Sequence, residues 1–221
     1  MATKEISRVA QFEPRWPVIL QLLALVSIAT LPARIRLMPH WLSLTLTAVL
    51  LLPMVGVLVS RGGLRWLRLE RWSTLAFCAF AETMVLLSLR HIITEMLKSP
   101  TVFTGRQLLA SSVTAWVTNV VAFSVVYWQL DRGGPEARVN RLGNKPEWSF
   151  PQASGSDAEA LEWLPTSADY LFLAFCTATA FSPTDAAPVT TRAKMLMMVE
   201  STISMITLVI VASRAINILG S

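Results

Sequence analysis

A few polar side chains stand where polar side chains are rare. Glu82 falls near the middle of an apolar run, residues 73–97, and Glu200 lies inside another, residues 195–213. A carboxylate at the centre of a bilayer costs about 2.5–3.5 kcal/mol on insertion scales. Each must therefore face protein or water, and such residues mark ion or proton paths. Glu200 is followed by Ser204 and Thr207, with Val211 and Arg214 beyond. Steps of four, three, four and three put them on one helical face. A polar stripe of this kind lines water or packs against another helix. Water-lining is the expectation for Glu200, Ser204 and Thr207. Glu82 is expected either to be neutralised or paired inside a helix bundle, or to take part in transport. Asn119, central in residues 107–130, is expected to make an interhelical hydrogen bond.

Other chemistry finds no support. Cys78 and Cys176 both lie in apolar segments, and His40 and His91 have no partners at ligand spacing, so no metal site is expected. No nucleophile–base pair, phosphate-binding loop or haem motif is visible. The chain is not expected to be an enzyme, and no cofactor is implied. The arginines border apolar runs instead of interleaving with exposed aromatics, which argues against nucleic acid.

The elements that position these residues follow from composition. The chain is 53% hydrophobic and 15% charged, with a net charge of +5. Its mean hydropathy of +0.53 points to a polytopic helical membrane protein whose first partner is the lipid bilayer. Spans are expected over Trp16–Thr30, Trp41–Ser60, Ser73–Leu97, Gln107–Leu130 and Met195–Ser213. Arg65, Arg68 and Arg71 alternate with Trp66, Leu67, Leu69 and Trp72, as in a segment lying at the membrane interface. Tyr170–Phe181 is apolar but only about half as long as the roughly 20 residues a span requires. It runs into Ser182-Pro183-Thr184-Asp185 and then the last span. Short apolar helix, polar turn and full span together read as a re-entrant loop.

That arrangement resembles the pore loop and inner helix of tetrameric potassium-channel-like proteins. Thr177, Thr179, Ala180, Phe181 and Ser182 can be laid on the selectivity filter, and Asp185, Pro188 and Thr190 on the residues after it. Ala180 and Ser182 replace the filter glycines, and Phe181 replaces the filter tyrosine. The resemblance implies a homotetrameric pore passing monovalent cations without potassium selectivity, with Asp185 as a ring of carboxylates at its mouth. Phe181-Ser182-Pro183-Thr184-Asp185, with Asp169-Tyr170 upstream, also resembles an uncharacterised bacterial integral membrane family, which implies a bacterial cytoplasmic membrane.

The expected fold is thus all-α, with about five spans and a re-entrant pore-like helix-loop between the last two. Residues 1–15 form a polar N-terminal segment, and residues 16–105 a three-helix membrane region. Residues 106–221 form a pore-like unit. Its parts are an outer helix at 107–130, a polar turret at 131–167, the re-entrant segment at 168–190 and an inner helix at 191–218. Two other functions fit the same residues: a non-conducting structural or regulatory membrane protein, and a small transporter with a midplane carboxylate site around Glu82 and Glu200. Membrane orientation stays open, because the channel resemblance and the distribution of basic residues point in opposite directions.

Overall fold

The computed structural model describes Thr45 and residues 64–99, 103–134, 137, 145–153, 163–180 and 186–219. The first two expected spans lie outside the described residues, apart from Thr45, which is helical. Four helices make up most of the rest: α1 (Leu64–Lys98), α2 (Gly105–Leu130), α3 (Ser167–Thr179) and α4 (Thr191–Leu219). Three of them contain stretches long and apolar enough to cross a membrane: Arg68–Lys98, Gly105–Gly133 and Thr191–Ala212. These coincide with the last three expected spans. The segment expected to lie at the interface, residues 65–72, is instead the opening of α1, continuous with the span. No proline or glycine occurs between Leu64 and Lys98 to interrupt it.

Local chemistry sets the helix ends. The Thr104 hydroxyl accepts from the Gln107 amide at 3.3 Å, and the Gln107 side chain accepts from the Thr104 amide at 3.0 Å, a reciprocal cap on α2. At the other end the chain reverses through Arg132 (φ 51°), Gly133 (φ 89°) and Gly134 (φ 107°). A Cβ on Gly134 would come within 3.2 Å of the Gln129 carbonyl, so both its conformation and its surroundings call for glycine. Asp169 accepts from the Thr166 amide and hydroxyl, each at 2.7 Å, and opens α3. Ala180 closes α3 in the left-handed region at φ 52°, its amide bonded to the Cys176 carbonyl. The Thr190 hydroxyl accepts from the Ala193 amide at 3.2 Å and caps α4.

Long-range bonds gather four helix ends at one pole. Arg71 at the start of α1 donates to the Gly133 carbonyl beyond the end of α2. Tyr170 in the first turn of α3 donates to Asp131 at 2.6 Å. Glu147 accepts from Thr190 and Arg192 at the start of α4. A two-stranded antiparallel pair, β1 (Trp148–Ser149) with β2 (Ala187–Pro188), lies over this pole as a cap. Its first strand comes from the stretch expected to be a polar turret, and its second from the segment expected to be re-entrant. Helix α3 packs between α2 and α4 and runs in the same direction as α4, so that Ser201 bonds the Thr177 carbonyl at 3.1 Å. Strand β2 lies at the pole from which α3 began.

The core lies among α1, α2, α3 and α4 and continues into the cap through a run of aromatic rings. Tyr127 sits 4.6 Å from Trp148, Trp148 is 6.5 Å from Tyr170, and Tyr170 is 5.6 Å from Phe150. Trp148, Tyr127 and Tyr170 are all fully buried. Each tyrosine combines a large apolar contact with a hydroxyl that finds a carboxylate partner.

Candidate functional site

Asn119, Tyr127, Glu200 and Ser204 meet at the interface of α2 and α4. Asn119 and Tyr127 are eight residues apart on α2, a little over two turns, and so share a face. Glu200 and Ser204 are one turn apart on α4. The Tyr127 hydroxyl donates to Glu200 Oε2 at 2.5 Å. The Asn119 side-chain amide donates to Ser204 Oγ at 2.9 Å and to the Glu200 carbonyl at 3.2 Å. The interhelical hydrogen bond expected of Asn119 is therefore present, twice over. Glu200 is wholly buried, at 0% exposure.

Glu82 approaches the same interior from α1. It lies within electrostatic range of Glu200. Among the described residues, neither carboxylate oxygen of Glu82 has a hydrogen-bond partner, nor has Glu200 Oε1 or Asn119 Oδ1. Four acceptor atoms are thus withdrawn from solvent without a protein donor. Buried acceptors left in this way cost about 1–3 kcal/mol each, and more when charged. Such groups are common where an ion or proton is handled and uncommon in a purely structural core.

The polar stripe on α4 has a different destination from the expected one. Glu200, Ser204 and Thr207 are all buried in the described chain, and Glu200 and Ser204 bond residues of α2. Thr207 donates to the Ile203 carbonyl of its own helix at 2.9 Å, as threonine commonly does in a helix. The outward positions are Met198, Met205, Leu208 and Val209, all well exposed in the isolated chain. The polar atoms go inward because the facing surface of α2 offers Asn119 and Tyr127 as partners.

The filter-like residues also differ from expectation. Thr177 and Thr179 are helical, and their hydroxyls bond the Leu173 and Phe175 carbonyls at 2.8 Å. The Thr177 carbonyl accepts from Ser201 and is not turned towards an open axis. An extended filter starting at Thr177 is therefore corrected to the last turn of α3, ending at the left-handed Ala180. Phe181, Ser182 and Asp185 lie outside the described residues.

A second polar group holds the cap above this site. Buried Asp131 accepts from Tyr170 through Oδ2 and from the Glu147 amide through Oδ1, at 2.6 and 2.7 Å. Trp148 donates its indole N–H to Met197 Sδ at 3.4 Å, one turn of α4 before Glu200. Tyr127 and Trp148 thus stand between Glu200 and the capped pole. Neither stands out as a site residue in the sequence. Tyr127 reads as a membrane-interface aromatic, and Trp148 falls in a polar stretch. The available signals were the shared face of Asn119 and Tyr127, and the isolated aromatic pair Trp148 and Phe150 between prolines. Comparison with protein-family profiles, curated proteins and solved structures found no match for the chain.

Proposed function

We propose that this is an integral membrane protein, set in a bacterial cytoplasmic membrane, that carries a proton or a small monovalent cation by way of an intramembrane carboxylate site formed by Glu82 and Glu200. The observation that carries the reading is that two carboxylates from different helices lie in the interior with three of their four oxygens lacking a donor among the described residues. Two like charges in a low-dielectric interior repel strongly, and a proton or cation held between them relieves that repulsion. Tyr127 fixes one oxygen of Glu200, and Oε1 has no donor among the described residues. Asn119 pins the α4 backbone at Glu200 and so holds the carboxylate at a constant depth. Carboxylate and amide oxygens are hard donors suited to small hard cations.

The test is flux in liposomes containing the purified chain, under an imposed proton, sodium or potassium gradient. Glu200→Gln and Glu82→Gln should each reduce flux to that of protein-free liposomes, while Ser99→Ala leaves it unchanged. Wild-type flux in Glu200→Gln would overturn the reading.

A homotetrameric cation pore is the second reading. Its support is that α3 starts at the capped pole and ends near the level of Ser201, while Ala187 lies back in the cap. A re-entrant loop would join the two in this way. One such loop cannot enclose an axis, so several copies are required. In this reading Asp185→Asn lowers conductance most at low salt, and the mass of the protein in mild detergent is that of four chains.

A further inference from the structure

The bonds that hold the cap also determine which basic residues share a pole. The start of α1 is tied to the end of α2, and the starts of α3 and α4 join them through Asp131 and Glu147. This pole carries Arg68, Arg71, Arg132, Lys145, Arg192 and Lys194. The opposite pole has Arg90 two turns in, Lys98 and Arg106 at the α1–α2 junction, and Arg214 near the end of α4. Arg68, Lys145, Arg192 and Lys194 are exposed, and Trp72, one turn from Arg68, is 66% exposed. Basic side chains beside an outward tryptophan are the composition of a membrane–water boundary. An excess of lysine and arginine in short flanking segments marks the cytoplasmic side, and acidic residues have little influence on that rule. Anionic lipids of the cytoplasmic leaflet attract such clusters.

We infer that the capped pole faces the cytoplasm, and that its exposed basic side chains, Arg68, Lys145, Arg192 and Lys194, rest on the anionic lipid headgroups of that leaflet. The Trp148 cap then lies on the cytoplasmic side of Glu200. This orientation holds whether or not the chain moves ions, so it is tested apart from flux. In a Cys78→Ala, Cys176→Ala background, one cysteine is introduced at the cap by Gln152→Cys and one at the other pole by Ser99→Cys. A membrane-impermeant maleimide added to intact spheroplasts should label the Ser99→Cys chain. It should label the Gln152→Cys chain only after permeabilisation. If Gln152→Cys resists the reagent even then, Lys145→Cys reports on the same pole. The reverse pattern, or equal labelling of both poles in intact spheroplasts, overturns the orientation. For the lipid contact, thermal unfolding is compared in phosphatidylcholine nanodiscs with and without phosphatidylglycerol. The anionic lipid should raise the midpoint, and Arg68→Gln with Lys194→Gln should shrink the gain. Equal midpoints in the two lipids would rule out the headgroup contact.

Discussion

Tyr127 connects the interior of the bundle to its cap with a single side chain. Its hydroxyl holds Glu200 and its ring rests on Trp148. Tyr127→Phe keeps the ring and removes the bond, so that the second oxygen of Glu200 also loses its donor. The expected loss of stability is about 1–3 kcal/mol, the cost of an orphaned buried acceptor. It should appear as a lower unfolding midpoint in detergent with the near-ultraviolet spectrum preserved. An unchanged midpoint would mean that Glu200 finds another donor when Tyr127 is absent. The sequence marks Glu200 as exceptional by its charge alone. What it lacks is the identity of the facing surface, which depends on α2 lying against α4 with Asn119 and Tyr127 turned towards it.

Among the elements, α3 ends in an uncommon way. Ala180 occupies a left-handed conformation that glycine reaches without the Cβ clash other residues suffer. Ala180→Gly should therefore raise stability by about 0.5–1 kcal/mol, the relieved clash being partly offset by greater freedom of the unfolded chain. Thermal unfolding checks this, and a lower midpoint would argue that the Ala180 methyl makes a contact worth more than the strain. The helices themselves were legible. Residues 107–130 were expected where Gly105–Leu130 is found, residues 191–218 where Thr191–Leu219 is found, and Tyr170–Phe181 where Ser167–Thr179 is found. Long apolar runs bounded by caps and prolines announce themselves locally. The cap did not, because each strand of the β1–β2 pair is two residues long, too short to show an alternating pattern. The bond from Tyr170 to Asp131 spans 39 residues and has no local signature either. Thr177 and Thr179, helical here, are ambiguous for a related reason: two threonines near the end of an apolar segment look alike whether they close a helix or begin a filter.

For the molecule as a whole, the distribution of apolar surface decides what surrounds it. Leu86, Leu87 and Ile93 on α1 and Met198, Met205, Leu208 and Val209 on α4 point away from the core. A lysine on such a face near the bilayer centre costs about 2.5–3.5 kcal/mol. Met205→Lys should accordingly lower the fraction of chain that resists alkaline carbonate extraction, whereas Ser99→Lys at the helix junction should not. Equal extraction resistance of the two variants would show that the Met205 face does not lie in hydrocarbon. This same outward face explains why polarity is concentrated inside. With lipid outside, Glu200, Asn119 and Ser204 turn to one another and to Tyr127.

The Glu147 carboxylate is joined to Arg192, 45 residues further along the chain. During synthesis, therefore, α2 leaves the ribosome well before the partner that will hold the loop behind it. At about 5–20 residues per second, Glu147 and the β1 strand wait some seconds for β2 and the start of α4 to emerge. Throughout that interval the Glu147 carboxylate is without Thr190 and Arg192, and Trp148–Ser149 is without its paired strand. The strand pair and the Glu147 bonds can form only once the chain has been made as far as the first turn of α4, so the cap closes behind α2 and α3 and not with them.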